Sequence, residues 1–529
     1  MPKSSTDSAH SEFPIVHSLG AEDLAFKPEL VFGLVGPIGC NIDAAQDALS
    51  SHLARFGYTP VLLHLTKEVG KLFPKITDIA DGKYESKIKT INRIVESSQQ
   101  KDFLARVAIL LISLRRSAIN EKAGIRESQA PYIQSNGSAY IVRQLKRSQE
   151  IELLRKVYGE KFIQISISAD EAEQFTAVQG IIGKEEPHLL QHEREHNARD
   201  LIHRDKDESQ VTFGQRMLDT YHSGDLFIGG NTLSIHAQVG RFMDAFFGSN
   251  YVSPTKDEFG AYLAKVASLR TLDLSRQVGA AILSSDGDVI TLGCNEVPKA
   301  LGGNYWGEDD NPQRDIERKL ESNKLETNRL IQDFVRTLSK HPKASFDAEE
   351  IINSQGFSKI LKNSLISDLT EFGRMTHAEM TALMDAARLG RSVKGATIYV
   401  TTFPCHNCAK HIVASGIRRI VYVEPYAKSK AIELSGDALT TYKKSADRVV
   451  LEHFHGISPA RYREIFAKPN KRRDENNNVK PWHFDTPKPM VNQFIGTHTM
   501  IEPNVLKDFS KTIDFVASKM VSGTPSPTD

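Results

Sequence analysis

His377-Ala378-Glu379 and Pro404-Cys405-His406-Asn407-Cys408 bring one imidazole and two thiols into a short reach of chain. Three such ligands plus one open position describe a catalytic zinc site. Cys405 and Cys408 stand three residues apart at the start of a predicted helix, so both sulfurs can reach one ion. The positive end of that helix favours their thiolate forms. A water in the open position would be acidified toward hydroxide. Glu379, two residues from His377, is too constrained to be needed as a fourth ligand but is close enough to take a proton from that water and deliver it onward.

Other readings use the same residues. Thr376 to Glu379 is also an S/T-x-x-E capping box, in which Glu379 would only satisfy a backbone N–H. Cys405 and Cys408 could form a redox pair or half of a four-ligand structural zinc site. The remaining cysteines, Cys40 and Cys294, lie outside any second C-x-x-C, so a four-cysteine site lacks its other half. Four cysteines do not make the framework of a secreted scaffold, and a reducing compartment fits better. The first 20 residues carry no apolar signal core, and the longest apolar run, Val107 to Leu114, is far below the roughly 20 residues that span a bilayer. The expectation is a cytoplasmic protein with no membrane contact.

The elements that must position these groups alternate between strand and helix. The 529 residues predict two to four domains, and 40% apolar with 25% charged residues is a globular profile. Leu30 to Val35 reads as a buried strand leading through GPIGCN into a helix over Asp43 to Phe56. Short apolar runs at Pro60–Leu65, Ala139–Arg143, Phe162–Ser168 and Asp225–Ile228, separated by helical stretches, predict a mostly parallel sheet. A second set begins with a helix over Lys256 to Leu269, then a hairpin of Val278–Leu283 and Val289–Gly293 around SSDGD. Residues 299–371 read as a charged, mostly helical insertion. Thr397–Thr402, a helix over Cys405–Ser415 and Arg419–Val423 then make a βαβ unit. Past Lys468 the chain turns polar before a terminal helix near Leu506 to Met520.

The glycine-rich loop after the first strand sits where a phosphate cradle would, with Gly33, Gly36, Gly39 and Asn41 as candidate nucleotide-binding residues. A Walker A loop ends in G-K-[ST]; here Asn41, Ile42 and Asp43 stand in those places. Without the lysine, ATP-driven phosphoryl transfer is not expected, while backbone amides could still hold a regulatory nucleotide. Arg194 to Glu208 could act as a lid, with a solvated helix as the plain alternative. His188, His192 and His196 recur every four residues, which on one helix aligns three imidazoles that could bind a metal, though imidazoles spaced over two turns rarely converge on one ion and a polar surface helix explains them.

The stretches VGAAILSSDGDVITLGCNEVP, THAEMTAL and ATIYVTTFPCHNCAKHIVASGIRRIVY resemble the deoxycytidylate deaminases of the cytidine deaminase superfamily. With a P-loop-like part ahead of them and EPYAKSKAIEL and HFHGISPARYREIF behind, the chain is similar to the two-domain anti-phage deoxycytidine nucleotide deaminases of bacteria. The resemblance implies an α/β fold: an N-terminal P-loop NTPase-like parallel-sheet domain, then a three-layer α/β/α cytidine-deaminase-like domain with a helical insertion. The corresponding boundaries are a polar leader at 1–26, domains at 27–250 and 251–467, and a linker with helix at 468–529. It implies zinc held by His377, Cys405 and Cys408, Glu379 as proton shuttle, and Asn295 at the sugar. Phe403 stands where tRNA adenosine deaminases have an acidic residue, which favours a pyrimidine nucleotide. Tyr426, Lys428 and Ser429 leave the strand after the zinc helix, where they could meet a substrate phosphate, or could form a solvated loop. The implied reaction is hydrolysis of a cyclic amidine: dCTP or dCMP to the uracil form plus ammonia, draining the pool a phage needs. Such enzymes are commonly homo-oligomers, and related systems hold the deaminase inactive with a small RNA.

Lys plus Arg number 67 against 66 Asp plus Glu, so no global field drives binding to bulk DNA. A small nucleotide is the expected partner. A polynucleotide deaminase would need a basic, aromatic channel, and aromatics make up only 8%. A third possibility is a nucleotide sensor in which the N-terminal part does the work; a complete ligand set beside Glu379 argues against it.

Overall fold

The computed structural model describes residues 26–74, 83–206, 217–354, 356–357, 366, 369, 371–426, 428–442, 445–468, 472–479, 482, 488–491 and 497–522. The polar leader, apart from Phe26, and parts of the 299–371 and 468–529 segments lie outside them.

In chain order the first strands are β1 (Leu30–Val35), β2 (Thr59–His64), β3 (Ser138–Arg143), β4 (Phe162–Ser168) and β5 (Leu226–Gly229). They are parallel, in the order β5-β4-β1-β3-β2. All six residues of β1 are buried, as expected of a strand covered on both faces. One face packs Phe32, Leu34 and Ile165 against Leu49 and Phe242 of the flanking helices Ile42–Arg55 and Thr232–Phe246. The VAILLISL run lies inside the helix Phe103–Lys122, which covers the other face.

The second sheet holds β6 (Gly279–Leu283), β7 (Val289–Cys294), β8 (Thr397–Thr402), β9 (Arg419–Glu424), β10 (Leu439–Thr440) and β11 (Val449–His453), ordered β10-β11-β9-β8-β6-β7. β6 and β7 form the expected antiparallel hairpin, and β8 pairs parallel with β9 across the helix His406–Ala414. The helix Lys256–Ser268 covers one face; Ala378–Arg388 and His406–Ala414 cover the other. Two glycines permit this closeness. A Cβ on Gly279 would lie 2.0 Å from Ala264 O, and one on Gly293 2.2 Å from Ala378 O.

The two halves are stitched together more than their order in the chain suggests. β12 (Gly456–Ile457), from the end of the second half, adds antiparallel to β5 of the first sheet. Ala281, Tyr399 and Val421 of the second sheet share one core with Val31 and Tyr140 of the first. The C-terminal segment holds two helices rather than one, Thr497–Leu506 and Phe509–Ser522, and they pack on the N-terminal half. The break falls at Asp508, whose left-handed φ of +63° stops the first helix where the terminal helix was expected to begin. The insertion holds helices at Asp315–Arg318, Ser322–Ser339 and Ala348–Asn353. Among the described residues no helix is long and apolar enough to cross a membrane.

Candidate active site

His377 and Cys405 occupy equivalent places, each the residue that caps the N-terminus of its helix in extended backbone. β8 delivers Cys405 and the β7 edge delivers His377, so the positive ends of two helices meet at one point. There the Nδ1 of His377 lies 3.5 Å from Cys405 Sγ and 3.4 Å from Cys408 Sγ. All three ligand atoms fall within 4.8 Å of one another, and among the described residues they form the one group of three or more His, Cys, Asp or Glu side chains so arranged. One nitrogen and two sulfurs converging in this way fit a zinc ion.

The cluster is electrostatically coupled. The hydrogen bond from Cys408, together with the imidazolium of His377, holds the Cys405 thiol down at about 4, against the pull of burial. The hydrogen bond to Cys405 lifts His377 to about 9, and the same neighbour together with burial raises Cys408. Glu379 is 4% exposed, and burial raises its carboxyl above the usual carboxylate range. The capping box does not form: no side chain of the cap residue bonds the helix start, and the Ala378 N–H donates to Asn295 Oδ1 at 3.0 Å instead.

A cavity of about 390 Å3 opens over the cluster. His377, Glu379 and Cys405 form its floor, and Asn295, Phe403 and Tyr426 line its walls. Asn295 Nδ2 donates to Asp273 Oδ2 at 2.7 Å and to Arg276 O at 3.3 Å. Lys428 and Ser429 do not line the cavity: Ser429 Oγ donates to Pro404 O at 2.8 Å and caps the Ala431 N–H, while Lys428 is exposed. Sequence reasoning passed over Asp273, Arg276, Asp315, Glu321 and Asn323, which also line the cavity. The first two were reachable, because the hairpin register that pairs Gly279 with Cys294 carries residues 273–278 past Asn295. The last three come from the insertion, which therefore roofs the site; nothing in its charged pattern marks them.

The N-terminal candidates gather less chemistry. Gly36 sits where a Cβ would meet Cys40 Sγ at 2.5 Å, Gly39 takes φ +81°, and Gly33 is packed against Phe162 within β1. Asn41 caps the helix Ile42–Arg55 through its Oδ1 and donates to Thr232 Oγ1 at 3.2 Å. The loop N–H of Ile38 already donates to Asp205 Oδ2 at 2.6 Å, and Lys146 Nζ bridges Gly36 O and the same carboxylate. His188 precedes the helix Gln191–Lys206, so only His192 and His196 share its face and the three-imidazole row is broken. The Arg194–Glu208 stretch is this helix through Lys206; 207–208 lie outside the described residues.

Residues 255–424 match the family model of the cytidine and deoxycytidylate deaminase zinc-binding region. The second half of this chain holds a cytidine/deoxycytidylate deaminase domain. Its similarity to the deoxycytidylate deaminase of phage T4 is 56% identity over 54 residues, 10% of this chain and 28% of that one. To the human deoxycytidylate deaminase it is 25% over 168 residues, 31% of this chain and 63% of that one. The chain thus spans less than a third of the phage relatives' length. A dCMP deaminase from cyanophage S-TIM5, solved with dCMP and dUMP, aligns over 39% of this chain and all of its own at 17% identity and a TM-score of 0.22. Around the deaminase domain, the N-terminal parallel sheet and the C-terminal helices lie beyond the matched span.

Proposed function

We propose that the protein hydrolytically deaminates deoxycytidine nucleotides, dCMP or dCTP, to the uracil nucleotide and ammonia. The observation that carries this reading is the convergence of His377, Cys405 and Cys408 beside buried Glu379 on the floor of a nucleoside-sized cavity. A zinc ion held by the three side chains would supply an acidified water and polarise the site.

The chain's own residues account for the rest. Glu379, its carboxyl raised by burial, is matched to carry one proton of the water to pyrimidine N3 and then the second, from the hydroxyl left on C4, to the departing amine. The water oxygen becomes O4 of uracil, the C4–N bond breaks, and ammonia carries the nitrogen away. Phe403 and Tyr426 offer flat walls to the ring. With both Nδ2 hydrogens engaged and one Oδ1 lone pair on Ala378 N–H, Asn295 keeps a single lone pair, which suits a sugar hydroxyl. Arg276, 5.3 Å from the Tyr426 ring centre, is the cation at the cavity wall for a phosphate. Lys428 and Ser429 are not assigned that role.

The test is ammonia release and product mass from the purified protein given dCMP, dCTP, CTP and cytosine-containing single-stranded DNA separately, with Glu379→Ala in parallel. Conversion of free deoxynucleotides alone, lost in the variant, supports the reading; conversion of the DNA alone overturns it. The anti-phage role rests on the resemblance of the two-part layout, and its measure is the deoxycytidine nucleotide pool of infected cells carrying wild type or Glu379→Ala.

A further inference from the structure

The N-terminal sheet has its own cavity, of about 520 Å3, at the carboxyl ends of β2 and β3. The chain builds β2 and β3 on one side of β1 and then crosses to β4 and β5 on the other. The crevice at that reversal, where open parallel sheets hold ligands, belongs to β1 and its glycine-rich loop, and this cavity lies next to it on the β3 and β2 side. Among the described residues its charge is one-sided: Lys67, Lys71, Lys87, Lys146 and Arg147 line it, and no carboxylate of a described residue does. Lys71, Lys146 and Arg147 are paired, with Glu68, Asp205 and Glu150. Lys67 and Lys87 take part in no ion pair among the described residues. His64 Nδ1, on the same wall, is buried with no hydrogen-bond partner among the described residues. Tyr84, Ile91 and Leu104 supply an apolar and aromatic side. Cations at one end, flat apolar walls at the other and an orphaned polar atom between them suit a ring bearing a phosphate.

The glycine-rich loop is not that place. The Asp205 carboxylate accepts the Ile38 N–H and lies against Lys146, filling with the protein's own anion the position a phosphate would take. Asp205 and Lys146 are both at least nine-tenths buried there.

We infer that this cavity is a second ligand site, distinct from the deaminase cavity, which binds a small phosphate monoester of mononucleotide size through Lys67 and Lys87. The site needs no phosphoryl transfer, and it stands whether or not the deaminase reading holds, because no residue is shared between the two cavities.

Equilibrium dialysis of the full-length protein with AMP and GMP, neither of which has a cytosine amine to lose, tests it. Adenosine and inorganic phosphate serve as separate arms, and Lys67→Glu and Lys87→Glu as variants, with the exposed Lys265→Glu as control. The expected result is saturable nucleotide binding at one site per chain. It should weaken on the order of tenfold or more in either cavity variant and stay unchanged in the control. The unfolding midpoint of each variant separates lost binding from lost fold. Phosphate competing as strongly as nucleotide would make the site a plain phosphate site of the same chemistry, while adenosine failing to bind shows that the phosphate is required. No saturable binding, or binding indifferent to charge reversal in folded Lys67 and Lys87 variants, overturns the inference.

Discussion

In the proposed reaction Glu379 and the three candidate ligand atoms divide the chemistry between them, and substitutions should separate the parts. Glu379→Gln keeps the shape and removes the titrating proton, so kcat is expected to fall by about 10² to 10⁴ while zinc content by atomic absorption stays at the wild-type level. Cys405→Ser and Cys408→Ser should lose the metal and the activity together. The coupled cluster also sets a pH dependence. In the metal-free protein the proton on His377, raised to about 9, and the one on Cys408, raised by Cys405 and burial, must both leave before a cation is bound. Apparent zinc affinity is therefore expected to rise with pH from 6 through about 9, read by competition with a chromophoric chelator; a flat profile would contradict that protonation pattern. At this scale the sequence was most legible. His377, Glu379, Cys405 and Cys408 are short-range neighbours in two pairs, and local spacing suffices to bring each pair to a helix start. Asn295 was legible as a site residue but not as the acceptor for Ala378 N–H, a contact across 83 residues. Lys428 and Ser429 show the limit in the other direction, since a hydroxyl and an ammonium after a strand say nothing about which way their loop folds.

Among the elements, the hairpin β6–β7 and the helix Ala378–Arg388 decide where His377 stands. Gly293 lets the strand touch the helix backbone, and a methyl there would press on Ala378 O at 2.2 Å and Ala382 N at 2.6 Å. Backbone cannot swing aside as a side-chain tip can. Gly293→Ala is expected to cost about 1 to 3 kcal/mol of stability and, by displacing the helix that carries His377 and Glu379, to lower kcat more than tenfold. Chemical denaturation and turnover on the same preparation check both. β1 to β9 were readable as short apolar runs bounded by turn residues, and the 397–424 βαβ unit because its helix is capped at Cys405 and stopped by Gly416, whose φ is +79°; β10, β11 and β12, two to five residues long, were not read. The role of the insertion was not readable. Its helices are mostly exposed, with only Thr327 and Ile331 buried in Ser322–Ser339, so their pattern is that of any solvated helix. Placement over the cavity comes from contacts such as Asn323 Nδ2 to Leu369 O and Arg374 to Asp315.

Across the whole molecule, a buried charge cluster ties the C-terminal helix Thr497–Leu506 to the first sheet. Arg116 donates to Glu29 at 2.9 Å and to Glu502 at 2.5 and 2.8 Å, and Glu29 also pairs with His498 at 2.8 Å. All four side chains are essentially inaccessible. Removing one member strands the others, so Glu502→Ala is expected to destabilise by about 3 to 5 kcal/mol, measured by chemical denaturation. Burial would raise the Glu29 carboxyl, but the His498 and Arg116 bonds outweigh it and hold it near 2, below the unfolded value of 4.5. A depressed carboxyl contributes stability above its unfolded pKa and loses it as pH falls through the folded one. The contribution, about 3 kcal/mol at neutral pH, should fade between about pH 4.5 and 2. A pH series of denaturation midpoints in which wild type and Glu29→Gln converge as pH falls through that window would show it.

The amino-acid order was enough to say that the chain is α/β, to place β1 to β9 within one residue at each end, and to single out a His, a Glu and two Cys that the fold brings together. These rest on period, turn chemistry and spacing over a few residues, which act locally. The tertiary structure decided that β12 leaves the second half to close the edge of the first sheet. It also decided that the terminal helices fold back on the N-terminal half, that the insertion roofs the site, and that Asp205 fills the glycine-rich loop. Each of these joins residues that are distant in the chain. Their pairing depends on complementary surfaces and on matching buried charges, and neither is written in any one segment.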